Sequence, residues 1–246
     1  MKNNTEKPVL FKTDMVQSIM EDIKRMTRRT KGLEKVNEKP DDYYFQSLVL
    51  HASGKFTFCP NEIDKPRTAD IIECKPQYNA GDLMWVKENF WPTQSDEYVN
   101  KITRMPFIYK ADFNSPEQIE DINYAKKEFK LKWKPSVFMP KDAARIWLRC
   151  TEVRAERLND ITEADALAEG VKSIISIPGT YKHYCPENYY TKEQLEEALP
   201  WVGDPRQSFL YLWESINGKE SVDLNPWVFV YSFEVVSKTG KAAICM

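Results

Sequence analysis

Gly81-Asp82-Leu83-Met84-Trp85-Val86-Lys87-Glu88-Asn89-Phe90-Trp91 is the stretch from which the rest of the chain is most readily understood. Ala80-Gly81-Asp82 is a turn, and the residues after it read as a strand, rich in aromatic and branched side chains and interrupted by charge. Side chains alternate along a strand, so Leu83, Trp85, Lys87 and Asn89 share one side, and Met84, Val86, Glu88 and Phe90 share the other. Glu88 therefore points where its apolar neighbours point. A carboxylate there is either at the strand's wet end or buried with a partner, and the buried case is the kind that shifts a pKa.

Upstream, Pro8 to Phe11 is a short apolar run. Asp14 is placed to cap a helix whose apolar residues, Met15, Val16, Ile19, Met20 and Ile23, line one face. The helix should fade near Lys24, where Lys24-Arg25-Met26-Thr27-Arg28-Arg29-Thr30-Lys31 carries five bases and no acid, and Gly32 breaks the segment. Residues 33 to 80, punctuated by Pro40, Gly54, Pro60, Pro66 and Pro76, read as loops with hairpin pieces at Tyr43 to Leu50 and Lys55 to Phe58.

Downstream, Pro106 to Lys110 is a strand candidate and 114 to 128 an exposed charged segment with a helical turn or two. Lys126 to Lys134 alternates lysines with Phe129, Leu131 and Trp133, a ribbon with one basic and one apolar face. Ala144 to Arg157 reads as a long strand with Ile146, Leu148, Cys150 and Val153 partly inside. Thr162-Glu163-Ala164-Asp165 has capping-box spacing and opens a helix that Gly170 stops. Residues 171 to 203 contain Pro178-Gly179, Pro186, Pro200, the tyrosines 181, 184, 189 and 190, and a short helix expected at Lys192 to Leu199. Asp204-Pro205 starts a helix over Arg206 to Asn217 that Gly218 ends, and Trp227 to Val236 is the last strand. This order lacks the regular βαβ alternation of a doubly wound fold, so an α+β domain with a curved or barrel-like sheet is expected.

The chain has 246 residues, 35 Lys plus Arg against 37 Asp plus Glu, 42% hydrophobic and 13% aromatic residues. That balance excludes a disordered chain and predicts a packed core. No apolar run approaches the roughly 18 residues of a membrane span, and the opening Met-Lys-Asn-Asn-Thr-Glu-Lys has no apolar signal core, so cytoplasmic residence and no membrane partner are expected. Five cysteines with no Cys-x-x-Cys pair read as reduced thiols. His51, Cys59 and Cys74, or His183 and Cys185, match no standard zinc spacing, so neither a metal nor a cofactor is expected. With two histidines in all, catalysis would need other groups. The net charge of −2 leaves nucleic-acid binding to local patches, of which Lys24 to Lys31 is one and the ribbon with Lys130, Lys132 and Trp133 is the second.

Helix, then Lys-x-x-Thr-x-Arg (Lys24, Thr27, Arg29), then Gly-Asp-x-x-Trp-Val-x-Glu (Gly81, Asp82, Trp85, Val86, Glu88), then Asn-Pro-Trp-Val (Asn225 to Val228) resembles the ASCH domain. The chain is also similar to phage and prophage ASCH-type proteins in Tyr109-Lys110-Ala111-Asp112, Trp133-Lys134-Pro135-Ser136, Met139-Pro140 and Trp213 to Gly218. The resemblance implies one PUA-like β-barrel domain over 1–246 with flanking helices, with 33–80 and 171–203 as insertions. It also implies a bacterial host or phage-infected cell. It implies binding of RNA, a nucleotide or a modified nucleoside in a pocket bordered by Lys24, Thr27, Arg28, Arg29, Trp85 and Glu88.

One branch of that family hydrolyses 4-acetylcytidine and another member has been described as a ribonuclease. Carried over by motif, Thr27 would be the nucleophile, Lys24 its activating base and Glu88 the proton donor, with Arg28 or Arg29 on an oxyanion or phosphate. A plainer alternative makes Lys24 and Glu88 an ion pair closing the barrel mouth, and another makes the chain a phage protein that binds a host protein.

Overall fold

The computed structural model describes residues 5–46, 54–61, 70–93, 106–113, 115–128, 132–176, 182–184 and 204–240. It is a mixed α+β structure with several sheets and a few helices. The chain divides into two compact units, the first made of Met1–Asp22, Asp82–Arg149 and Glu234–Met246, the second of Ile23–Gly81 and Cys150–Phe233.

In the first unit, β1 (Glu6–Leu10) runs parallel to β6 (Leu83–Lys87), and β6 pairs antiparallel with the start of β9 (Trp147–Arg157). The Gly81-Asp82 turn accounts for this arrangement. Gly81 has φ 94°, a left-handed conformation that glycine adopts without penalty. The buried Asp82 carboxylate accepts from the Thr5 N–H at 3.1 Å, its hydroxyl at 2.7 Å and the Lys7 ammonium at 2.8 Å, tying β1 against β6. β7 (Phe90–Pro92) and β8 (Phe107–Tyr109) form a second antiparallel ladder. Trp85, Phe90, Met139, Ala143, Ala144 and Trp147 make one core cluster; Trp91 and Ile122 anchor a smaller one with Ile108, Phe113 and Trp133 against it.

Helix α1 spans Thr13–Met20, so Lys12 and not Asp14 stands at its N-cap; Asp14 lies in the first turn. It ends before Lys24 because Asp22 turns to φ 61°, and the Lys238 ammonium caps the last carbonyls, 2.7 Å from the Met20 oxygen. The segment expected to hold only a turn or two is a thirteen-residue helix, α2 (Pro116–Glu128). Its start is a reciprocal capping box: Gln118 N–H donates to the Ser115 hydroxyl and Ser115 N–H to the Gln118 side chain. The basic ribbon expected at 126–134 therefore does not begin as a strand, since its first three residues end that helix. Lys134 bridges Phe90 through its backbone, and Lys130 lies outside the described residues.

In the second unit, the rest of β9 lies beside β12 (Trp227–Ser237), and β12 pairs antiparallel with β2 (Met26–Arg29) at the edge. Residues 227 to 231 are all buried because both faces of β12 are covered. Trp227, Phe229 and Tyr231 meet Phe58, Phe56 and Tyr78 edge-on, each with ring centroids 5.1 Å apart. Val228 and Val230 pack with Met26, Leu158, Ile161, Ala166, Val171, Phe209 and Trp213. Phe56 and Phe58 belong to β4 (Phe56–Pro60), the centre of a three-stranded antiparallel sheet between β3 (Tyr43–Phe45) and β5 (Ile72–Cys74), which extends the hairpin pieces expected in 33–80. Cys59, Cys74 and Cys150 are buried thiols.

Helix α3 (Glu163–Ala168) starts on Thr162, whose side chain accepts from Asp165 N–H, and α4 (Pro205–Asn217) starts on Asp204 with Pro at its first turn and ends at Gly218. These caps are as the sequence predicts. β10 (Ser173–Ser176) pairs with β11 (Lys182–Tyr184), and α5 (Lys219–Asp223) follows α4. The helix expected at Lys192 to Leu199 lies outside the described residues. No described helix is long and apolar enough to cross a membrane.

The tyrosines of this core carry a pH prediction. Burial pushes the Tyr78 phenol up to about 12 and the Tyr231 phenol higher still. The unfolded chain releases both protons near pH 10, the folded chain only above about 12, so stability present below pH 10 is lost as pH rises across that window. Each phenol contributes a slope of about 1.4 kcal/mol per pH unit. Urea denaturation between pH 10 and 12 should show the Tyr78→Phe variant losing stability less steeply than wild type by that amount; parallel curves would show that Tyr78 ionises equally in both states.

Candidate functional site

Lys24, Thr27, Arg28 and Arg29 do not form an exposed basic turn. Met26–Arg29 is a strand with Met26, Thr27 and Arg28 buried and Arg29 partly so. Two backbone bonds fix its entry: Arg25 N–H donates to the Ala168 carbonyl at 2.7 Å, and Phe233 N–H donates to the Arg25 carbonyl at 2.9 Å. Lys24 is thereby brought to the C-terminal end of α3. Its ammonium is wholly buried and donates to the Glu169 backbone oxygen and to Glu169 Oε2, both at 2.7 Å.

A run of bases can be buried here because carboxylates arrive from two other elements. The Arg28 guanidinium, its side chain fully enclosed, donates to Glu156 at 2.6 Å, Asp165 at 2.9 Å and Glu169 at 3.1 Å. Arg154 donates to the same Glu156 and Asp165. Glu156 and Arg154 are two apart on β9 and so share a face, while Asp165 and Glu169 lie four apart at the two ends of α3. Lys24, Arg28 and Arg154 thus meet Glu156, Asp165 and Glu169, and these six charges balance.

Burial lowers the Lys24 pKa from its ordinary value. Glu169 pulls it back up, and Arg29 and Arg28 push it down. Burial also opposes the charged Arg28 guanidinium, but Glu169, Glu156 and Asp165 outweigh it and raise its pKa. Arg28 is committed to these carboxylates, with Phe209 5.4 Å from its charge centre, so it is a structural member of the network and not an open contact for an anion.

Glu88 belongs to the first unit and lies just past β6, almost fully buried at 1% exposure. It is the buried-with-a-partner case. Arg145 grips it as a fork, Nε to Oε1 at 2.9 Å and a terminal nitrogen to Oε2 at 3.0 Å, and reaches Asp112 at 2.7 Å with its other terminal nitrogen. The guanidinium stacks on the Tyr109 ring, 4.0 Å from its centroid, and the Tyr109 hydroxyl donates to the Ala143 carbonyl at 2.8 Å. Burial raises the Glu88 pKa; Arg145 works against that and Asp112 with it. The Glu88 N–H donates to the Met139 sulfur at 3.2 Å. The structure therefore gathers around Glu88 residues from the sequence blocks at 109–112 and 139–140.

Trp85 sits in the core with Trp147 and Met139, and Lys87 lies 5.5 Å over its ring. Of the second patch, Lys132 is exposed, and Trp133 is half-buried with its ring 5.9 Å from that of Phe113. Glu169 and Arg145 are the partners that sequence reasoning missed. Each left a trace: Glu169 places an acid at a helix C-terminus, where the dipole disfavours it, and Arg145 interrupts an apolar run, Ala143-Ala144-Arg145-Ile146-Trp147. Compared with models of protein families, with curated proteins and with solved structures, the chain matches none of them.

Proposed function

We propose that this is an ASCH-type protein of PUA-like fold that binds RNA, a nucleotide or a modified nucleoside, with the partly exposed Arg29 meeting the ligand and the buried Lys24 and Thr27 on the same segment. The observation that carries this reading is the wholly buried Lys24 ammonium, held by Glu169 and three residues from a buried threonine on an edge strand. Ionisable groups with strongly perturbed pKa values concentrate at functional sites. Arg28 supports the reading by neutralising Glu156 and Asp165, which would otherwise repel an anionic ligand.

The same depressed Lys24 pKa favours a second reading, hydrolysis of an acylated cytidine. A lysine with a lowered pKa can take the Thr27 proton. One experiment addresses both readings. Cytidine monophosphate and a short RNA are titrated at several salt concentrations, and 4-acetylcytidine is incubated and followed by chromatography, for wild type, Arg29→Ala, Thr27→Val and Lys24→Met. Binding that strengthens at low salt and weakens roughly tenfold in Arg29→Ala is expected. Absence of binding at low salt ends the first reading, and turnover that persists in Thr27→Val and Lys24→Met ends the second.

A further inference from the structure

Among the described residues of the first unit, the most exposed large apolar side chains include Phe138, at 70%, and its neighbour Val137, at 55%. Leaving a phenylalanine in water forgoes the favourable burial of its ring. A flexible loop would hide it at little cost, but this segment is fixed. Lys134 exchanges both backbone bonds with Phe90, at 2.8 and 3.2 Å, and Ser136 N–H donates to the Asn89 side chain at 3.0 Å. Phe138 N–H returns to the Pro135 carbonyl and Met139 N–H to that of Ser136, each at 3.0 Å, and the Lys87 ammonium caps the Val137 carbonyl. Met139, 2% exposed, anchors the far end in the core. Pro135 and Pro140 bracket the turn. The ring is presented on a rigid mount.

The exposed charges nearest to it on its N-terminal side are lysines. From Lys132 to Lys141 the sequence carries three lysines and no acid, and Lys132 and Lys134 are exposed. Lys141 pairs with Glu6, so it adds little free charge. We infer that the Val137–Phe138 turn, with Lys87, Lys132 and Lys134, is a stacking platform for a single-stranded nucleic acid. A rigid exposed ring stacks on a base whose face is free, which a single strand offers and a duplex does not, and the lysines meet the phosphates on either side. The surface deepens the nucleic-acid reading by naming the form of the ligand, and uses none of the residues assigned to the nucleoside.

The test is fluorescence anisotropy with a labelled oligouridylate of about ten nucleotides and with a duplex of equal length, over a range of salt. Single strand is expected to bind at least tenfold more tightly than duplex. Phe138→Ala should weaken the single strand about tenfold or more, Phe138→Trp should retain it, and Lys132→Ala with Lys134→Ala should lower the salt slope by about one to two. Phe138 is exposed, so unchanged thermal unfolding of Phe138→Ala establishes that its effect is local. Equal affinity for duplex and strand, or affinity indifferent to Phe138→Ala, overturns the platform. Cytidine monophosphate binding that is lost in Lys24→Met but unaffected by Phe138→Ala tests the nucleoside reading separately, so either can fail alone.

Discussion

Replacing Glu169 by alanine is expected to destabilise the fold by about 3 to 5 kcal/mol in urea denaturation, the usual cost of removing one partner of a buried ion pair. Glu169 is 4% exposed and its two oxygens serve Lys24 at 2.7 Å and Arg28 at 3.1 Å. Without it, three buried or half-buried cations face two carboxylates. Arg28 keeps Glu156 and Asp165, so the larger burden falls on Lys24.

The sign of the pH dependence identifies the cause. The Lys24 pKa is already lowered when folded, and Glu169 is the strongest influence raising it, so the variant lowers it further. Between the folded pKa and the ordinary 10.5 the unfolded chain binds the extra proton, so stability rises with pH there. The deficit of Glu169→Ala relative to wild type should therefore be largest on the acidic side and shrink as pH rises from the variant's folded Lys24 pKa to the higher folded pKa of wild type, both below 10.5. Combining it with Lys24→Met removes both charges and should restore most of the loss. A deficit below about 1 kcal/mol, or one that does not change with pH, would show that the pair is not the buried ion pair described.

The elements that the sequence predicts well are those with local causes. Thr162 and Asp204 cap their helices through residues two or three positions on, and Gly218 stops α4 with φ 84°. The long strands over 147–157 and 227–237 announce themselves by continuous apolar and alternating runs. Even the misjudged α2 had a local signal, the Ser115-Pro116-Glu117-Gln118 box.

The site residues have no such local cause. Met26–Arg29 is a four-residue strand whose charges defeat any hydrophobic period, and it is buried only because Glu156, Asp165 and Glu169, between 128 and 141 positions later, neutralise Arg28. Lys24 and Glu169 are 145 positions apart, and Glu88 and Arg145 are 57 apart. A lone chain reveals, from the strand alternation, that Glu88 is either at a wet end or buried with a partner. It does not reveal which of its many bases is brought there, because that depends on how distant strands pair.

Arg145→Ala should produce the opposite pH signature at comparable cost, about 3 to 5 kcal/mol at neutral pH. Arg145 holds both oxygens of the 1%-exposed Glu88 and one of Asp112, and its removal leaves the Glu88 carboxylate desolvated without the fork. The Glu88 pKa, already raised by burial, then loses its main opposing influence and rises further. A carboxyl raised on folding adds stability below its unfolded value of 4.5 and loses it as pH climbs toward the folded value. The deficit should thus shrink toward pH 4 and grow toward neutrality. Arg145→Lys keeps the charge but not the planar fork and should fall between the two. Glu88→Gln placed on Arg145→Ala should recover stability at neutral pH, because the carboxylate that ionises there is gone. If Glu88 also donates a proton in catalysis, its acid form persists to higher pH in Arg145→Ala, and the limb of the pH–rate profile where activity falls with rising pH should move upward. A stability deficit in Arg145→Ala that is flat with pH, together with an unmoved profile, would assign Arg145 to packing on Tyr109 and detach it from Glu88.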